Sequence, residues 1–85
     1  MFDKLQQKNP TAKIIFYVSS MDYSGRESFW GHSPDESLVK KQFEEAKPDN
    51  YDMHLYKALA IDEGDNGWNL IHDEVIDTYI DESEF

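Results

Sequence analysis

The architecture turns on residues Gly67 to Asp81, GWNLIHDEVIDTYID, because two periodicities compete there. At about 100° per residue, Trp68, Ile71, His72, Val75, Ile76, Tyr79 and Ile80 share one half of a helical wheel. Asp73, Glu74, Asp77 and Asp81 share the other half, and Leu70 is the apolar dissenter. Asp65 or Asn66 stands where an N-cap belongs. Against a helix stand the β-branched residues Val75, Ile76, Thr78 and Ile80. A strand, however, would mix Asp73, Val75, Asp77, Tyr79 and Asp81 on one face, a set that buries poorly. The pattern therefore predicts an amphipathic, acidic C-terminal helix.

Upstream, a second helix carries stronger local signals. Ser33, Pro34, Asp35 and Glu36 form an S-x-x-E capping box with proline at the first helical position. Val39, Phe43 and Ala46 recur on one helical face, Leu38 lies beside them and Pro48 ends the run, so a helix is predicted over residues 34–46. Ala12 to Ser19 reads as a buried strand through Ile14, Ile15, Phe16, Tyr17 and Val18, and Asp22, Tyr23, Ser24 and Gly25 have turn chemistry. Arg26 to Gly31 then returns as a hairpin partner. Met53 to Ile61 places Met53, Leu55, Leu59 and Ile61 on one side with Lys57 as the exception. A strand is predicted there, although Met, Leu, Lys and Ala also suit a helix. Met1 to Lys8 adds a short turn through which Phe2 and Leu5 touch the core. The expected fold is α+β: a single domain over residues 1–85, a two-layer sandwich of a three-stranded sheet in ββαβα order with two helices.

Composition bounds the chemistry. The 85 residues carry 18 Asp plus Glu against 8 Lys plus Arg, a formal net charge of -10. Residues 1–42 hold six basic and five acidic side chains, and residues 43–85 hold two basic and thirteen acidic ones. From Asp62 to Phe85 there are nine carboxylates and no Lys or Arg. With no cysteine, disulfide frameworks and thiolate chemistry are excluded. The longest apolar run, Ile14 to Val18, is too short to span a bilayer, and a cytoplasmic protein with no membrane partner is expected. Twelve aromatic residues predict that the chain folds despite a mean hydropathy of -0.77.

Motifs for catalysis are lacking. His32, His54 and His72 are scattered without metal-ligand spacing, and no phosphate loop, nucleophile elbow or dinucleotide fingerprint is present. No enzyme activity, cofactor or metal is expected. Asp62, Asn66, Gly67 and Asp73 fall on positions one, five, six and twelve of a calcium loop, but Gly64 takes the place of a ligand at position three. Lys40 and Lys41 face Glu44 and Glu45 one turn later, which is ordinary helical pairing rather than a nucleic-acid footprint.

What remains is the acidic array. On a helix, Asp73, Glu74, Asp77 and Asp81 would span roughly 12 Å, about one charge per 4 Å, against one phosphate per roughly 3.4 Å along a DNA strand. Glu82, Glu84, Asp62, Glu63 and Asp65 extend the array, Tyr79, Tyr51, Tyr56 and Trp68 offer aromatic anchors, and Glu44, Glu45, Asp49 and Asp52 form a second cluster. In size and charge the chain resembles the small acidic inhibitors that phages and mobile elements make against restriction, repair or CRISPR enzymes, and the immunity proteins that block nuclease toxins. The expected function is a non-enzymatic inhibitor. Its partner-binding residues Asp73, Glu74, Asp77, Asp81, Glu82, Asp62, Glu63, Asp65 and Tyr79 would mimic nucleic acid on the basic surface of a nucleic-acid-processing protein, without binding nucleic acid directly. The alternative is an acidic adaptor that binds a basic patch without mimicry. A homodimer is compatible with exposed aromatics in so short a chain.

Overall fold

The computed structural model describes residues 2–82, so Glu84 of the acidic array lies outside the described residues. Helix α1 (Phe2–Lys8) is followed by strands β1 (Lys13–Asp22) and β2 (Glu27–Ser33), helix α2 (Glu36–Ala46), and strands β3 (Asn50–Asp62) and β4 (Trp68–Ile80). Short 3-10 turns at Lys47–Asp49 and Gly64–Asn66 precede the last two strands. The strands form one four-stranded antiparallel sheet in the order β2-β1-β3-β4. The α+β class is as expected, but the sheet has four strands rather than three, and its last strand replaces the anticipated acidic helix. The N-terminal segment is a helix of about two turns rather than a bare turn.

The central position of β1 accounts for its unbroken apolar run, since a strand with neighbours on both sides and buried faces needs no polar alternation. Phe16 and Val18 face α2 and join Val39, Phe43, Met53 and Leu55 in one cluster, with Ile14, Trp30, Ala46 and Tyr79 packed against it. Ile15 and Tyr17 point to the opposite face, where they meet Ala58 and Ala60 with Tyr56 and Trp68 alongside. Phe43 and Val39 are buried to 1% and 0% exposure, so the i, i+4 spacing of α2 does supply its buried stripe. Full burial of one such side chain contributes about 1.5–3 kcal/mol. Leu38, beside that stripe, is exposed.

The start of α2 lies later than the capping box implied. Asp35 is the N-cap, accepting a hydrogen bond from the Leu38 amide at 3.1 Å. Ser33 belongs to β2, and its hydroxyl accepts from the Asp35 amide. Pro34 therefore precedes the cap. At the β1–β2 turn, Asp22 Oδ1 accepts from the Ser24 amide and hydroxyl and from the Arg26 amide, which explains why this tetrapeptide turns. Those bonds, the Ser24 hydroxyl foremost, hold the Asp22 carboxyl below its ordinary range.

Why β4 is a strand follows from its irregularities and its position. Its pairing with β3 shifts register between Asp77 and Val75 and again between His72 and Leu70, so Ile76 and Ile71 are bulged. The bulge at Ile76 breaks the alternation. Asp73 and Val75 lie opposite Ala58 and Tyr56, while Asp77 and Tyr79 lie opposite Leu55 and Met53 on the α2 side. The five residues expected to share one poorly burying face are thus divided between two. As an edge strand, β4 also buries little: Leu70, Val75, Ile76 and Ile80 remain 40–51% exposed. With burial not demanded, the β-branched residues express their preference. No helix among the described residues is long and apolar enough to cross a membrane.

Candidate functional site

Two faces and one edge of β4 distribute the acidic residues. Glu74 and Asp77 point to the α2 side, opposite Lys57 and Leu55. On that side Tyr79 packs against the main core, with the Lys47 ammonium 5.2 Å from its ring centroid. Tyr79 is therefore a core-edge residue rather than a free anchor. Helix α1 covers the neighbouring stretch: Phe2 meets His72 edge-on at 5.1 Å and carries the Lys57 ammonium 4.8 Å from its ring centroid. Lys57, although opposite Glu74 in the ladder, thus spends its charge on a ring.

The opposite face carries no helix. There His32, Tyr17 and Tyr56 stack in a row across three strands, with ring centroids 5.0 and 4.7 Å apart and planes 8° from parallel in both pairs. The Tyr17 hydroxyl donates to Asp73 Oδ2 at 2.5 Å. Burial, and then this bond to a carboxylate, push the Tyr17 phenol well above its ordinary range. Desolvation pushes the His32 imidazole below its own. Asp73 is held in place by that tyrosine, whereas Glu74 meets His72, at 3.2 Å.

At the ends of β4 the remaining carboxylates are set by turns. Asp62 Oδ1 accepts from the Gly64 amide at 2.9 Å, and the Glu63 amide donates to Gly67 O, so the acidic tip Asp62, Glu63, Asp65 is a hairpin loop. Asp62 pairs with Trp68 at that tip, and Asp73 lies further along opposite Ala58, so the first and twelfth residues of the calcium-loop pattern are held apart by the ladder. At the other end the Asp81 amide donates to Tyr51 O at 2.9 Å, and its carboxylate accepts from the Tyr23 hydroxyl. Because Ile80 pairs with Asp52 and the Asp81 amide meets Tyr51 O, the end of β4 lies at the start of β3, which brings Asp81 near Asp52 of the second cluster.

The pairing of these charges separates two kinds of carboxylate. On α2, Glu36, Glu44 and Glu45 each meet a lysine, namely Lys40 at 3.0 Å, Lys47 at 2.8 Å and Lys41 at 4.0 Å. Lys41 pairs forward as its spacing implied, while Lys40 turns back to Glu36. Among the described residues, none of Asp62, Glu63, Asp65, Asp73, Glu74, Asp77 and Glu82 forms an ion pair with Lys or Arg.

A further contact chain was not apparent from sequence. Thr78 Oγ1 lies 3.3 Å from His54 Nδ1, and His54 Nε2 lies 2.9 Å from Asp52 Oδ1. The order is that of a nucleophile, base and orienting acid, but Asp52 Oδ1 is buried without a hydrogen bond, so the acid does not orient the ring. Its chemistry is opposed locally, because the Thr78 amide already donates to Asp77 Oδ1 at 2.8 Å. A carboxylate then sits where an oxyanion would need a donor. The available signal was the Asp52-x-His54 spacing, which places both side chains on one face of a strand. Among the described residues no group of three or more His, Cys, Asp or Glu is arranged to hold a metal ion.

The chain matches no protein-family model, and no curated protein or solved structure matches it either.

Proposed function

We propose that the protein is a non-enzymatic inhibitor whose carboxylate flank stands in for nucleic acid on the basic site of a DNA- or RNA-acting protein. The supporting observation is the flank itself. Asp62, Glu63, Asp65, Asp73, Glu74, Asp77, Asp81 and Glu82 run from the hairpin tip along β4 to the opposite end, with no Lys or Arg between residues 62 and 82. Thirteen strand residues cover roughly 40 Å at the extended rise, close to the 44 Å long axis of the molecule. The strand itself carries Asp73, Glu74 and Asp77, about one charge per 13 Å, and the other five carboxylates gather at its two ends, so the array is much sparser than a DNA strand at roughly 3.4 Å per phosphate but longer than the array a helix would have given. Release of counterions from both surfaces would drive association. The cytoplasm of the host cell is the compartment in which such a target works.

An acidic adaptor that binds a basic patch without mimicry is the second reading. It is favoured by the division of Asp73 from Glu74 and Asp77 between two faces, which suits a basic segment running along the edge better than a flat phosphate-binding site. Competition separates the two. The protein is used to capture its target from cell extract, and duplex DNA is then titrated against the purified complex. Mimicry requires stoichiometric displacement by DNA, and loss of capture when Glu63, Asp65, Glu74 and Asp77 are changed together to Gln or Asn. A complex that persists with DNA bound establishes the adaptor, and capture undiminished in the variant defeats both.

A further inference from the structure

We infer that the outer edge of β4, from Val75 to Ile80, pairs with an extended segment of a partner protein in which Lys or Arg alternates with apolar residues. This rests on the acidic-flank reading above and adds to it the form of the partner. Among the described residues β4 ends the sheet, so one side of its backbone has no neighbouring strand there. The Asp81 amide donates inward to Tyr51 O. By the two-residue alternation of an antiparallel ladder, the amides of Thr78 and Ile80 therefore point outward. Thr78 does not leave its amide open, because Asp77 Oδ1 accepts from it at 2.8 Å. Such a plug, together with the bulges at Ile71 and Ile76, blunts an edge against indiscriminate pairing.

The plug is also selective. An incoming cation that pairs with Asp77 draws the carboxylate off the Thr78 amide and frees that amide for the incoming strand's carbonyl. Val75, Ile76 and Ile80, at 51%, 41% and 51% exposure, supply apolar surface beside the charges for alternate side chains of the visitor. A second copy of β4 would instead set Asp73, Glu74 and Asp77 against the same carboxylates, and like charges across a strand pair are destabilising. Nucleic acid is repelled on the same grounds. The occupant that satisfies charge, backbone and apolar surface together is a basic strand.

The test uses the full chain, labelled with nitrogen-15, and synthetic peptides of four Lys-Val repeats. One peptide is unmodified, one is N-methylated on every backbone amide so that it keeps its charge but has no edge able to pair as a strand, and one carries Glu in place of Lys. The unmodified basic peptide should shift the Thr78 and Ile80 amides and protect them from exchange. The methylated peptide should bind about tenfold more weakly or worse, as expected for the loss of two or more backbone hydrogen bonds. Asp77→Asn should reduce the preference for the Lys peptide over the Glu peptide. Equal binding of the two Lys peptides would overturn strand pairing and leave the acidic-flank reading standing. Absence of binding by either Lys peptide at low salt would bring down both. A free protein that is already dimeric, with the Thr78 and Ile80 amides protected, would assign the edge to a second copy and refute the inference.

Discussion

The two outer strands of this sheet are treated in opposite ways. β2, seven residues long, has α2 packed against one of its faces. Trp30 on β2 packs against the main core and donates from its indole to Ser20 Oγ at 2.9 Å. At Gly31 the backbone lies so close to α2 that a Cβ would stand 3.1 Å from Gln42 Oε1. β4, thirteen residues long, carries exposed aliphatics, and among the described residues its carboxylates Asp73, Glu74 and Asp77 form no ion pair with lysine. Edges invite unwanted pairing, and a protein can bury one or guard it with charge. Here one outer strand is tied down by a helix packed on its face and the other is guarded. The guarded edge is where the proposed partner would dock without unfolding anything.

If the contrast is sound, perturbing the covered side should injure the fold and perturbing the guarded side should not. The largest effect is expected for Phe43→Ala, since Phe43 anchors α2 over β1 and β3. It should destabilise by about 3–5 kcal/mol in denaturant titration, and a loss under 1 kcal/mol would mean that α2 is not what closes that face. Gly31→Ala comes next. Its φ of +80° is a left-handed conformation and its Cβ would press on Gln42, so a loss of about 1–2 kcal/mol is expected. Smaller again is Asp35→Ala, at about 1 kcal/mol through the lost cap, with Ser33→Ala milder. The reverse order would restore Ser33 as the cap.

The tie between Tyr17 and Asp73 gives a pH test of how β4 is held. Because the folded-state phenol is raised above its unfolded value near pH 10, its contribution is intact below that pH and is lost as the pH climbs through the higher folded value. Thermal melts should therefore fall in alkaline solution, and Tyr17→Phe should flatten that slope. An identical slope in the variant would place the titration elsewhere. The smallest effect is reserved for the guarded edge: Asp77→Asn should change stability by no more than about 0.5 kcal/mol while weakening capture of a basic partner. Should it unfold the protein instead, β4 is a structural edge and the contrast collapses.

Residues with one dominant local cause were legible in sequence. The Ile14 to Val18 run could only be an interior strand, Asp22 to Gly25 carried its own turn chemistry, and Val39 and Phe43 marked the buried side of α2. β4 was not legible, because its helical wheel and its strand pattern were both imperfect and the deciding facts were tertiary. Two bulges reset its alternation, and its edge position removed the need to bury Val75, Ile76 and Ile80. The same physics hid the site. The acidic residues were visible from composition, but their division between faces, the hold of Tyr17 on Asp73 and the plug of Asp77 on the Thr78 amide exist only once β4 lies beside β3.

The strand order has a kinetic consequence. β1 with β2 and β3 with β4 are neighbours in sequence, each closed by a short turn, and hairpins of this kind form in roughly 1–10 μs. The seam between them joins Asp22 to Asn50 at its near end and Lys13 to Ala60 at its far end, so it must wait for a long loop to close. α2 lies within that loop and shortens it as it winds. The rate-limiting step should then be the zipping of two preformed hairpins. Truncating Val18 or Leu55 at the seam should slow refolding, whereas changes along β4 should alter chiefly how fast the chain comes apart.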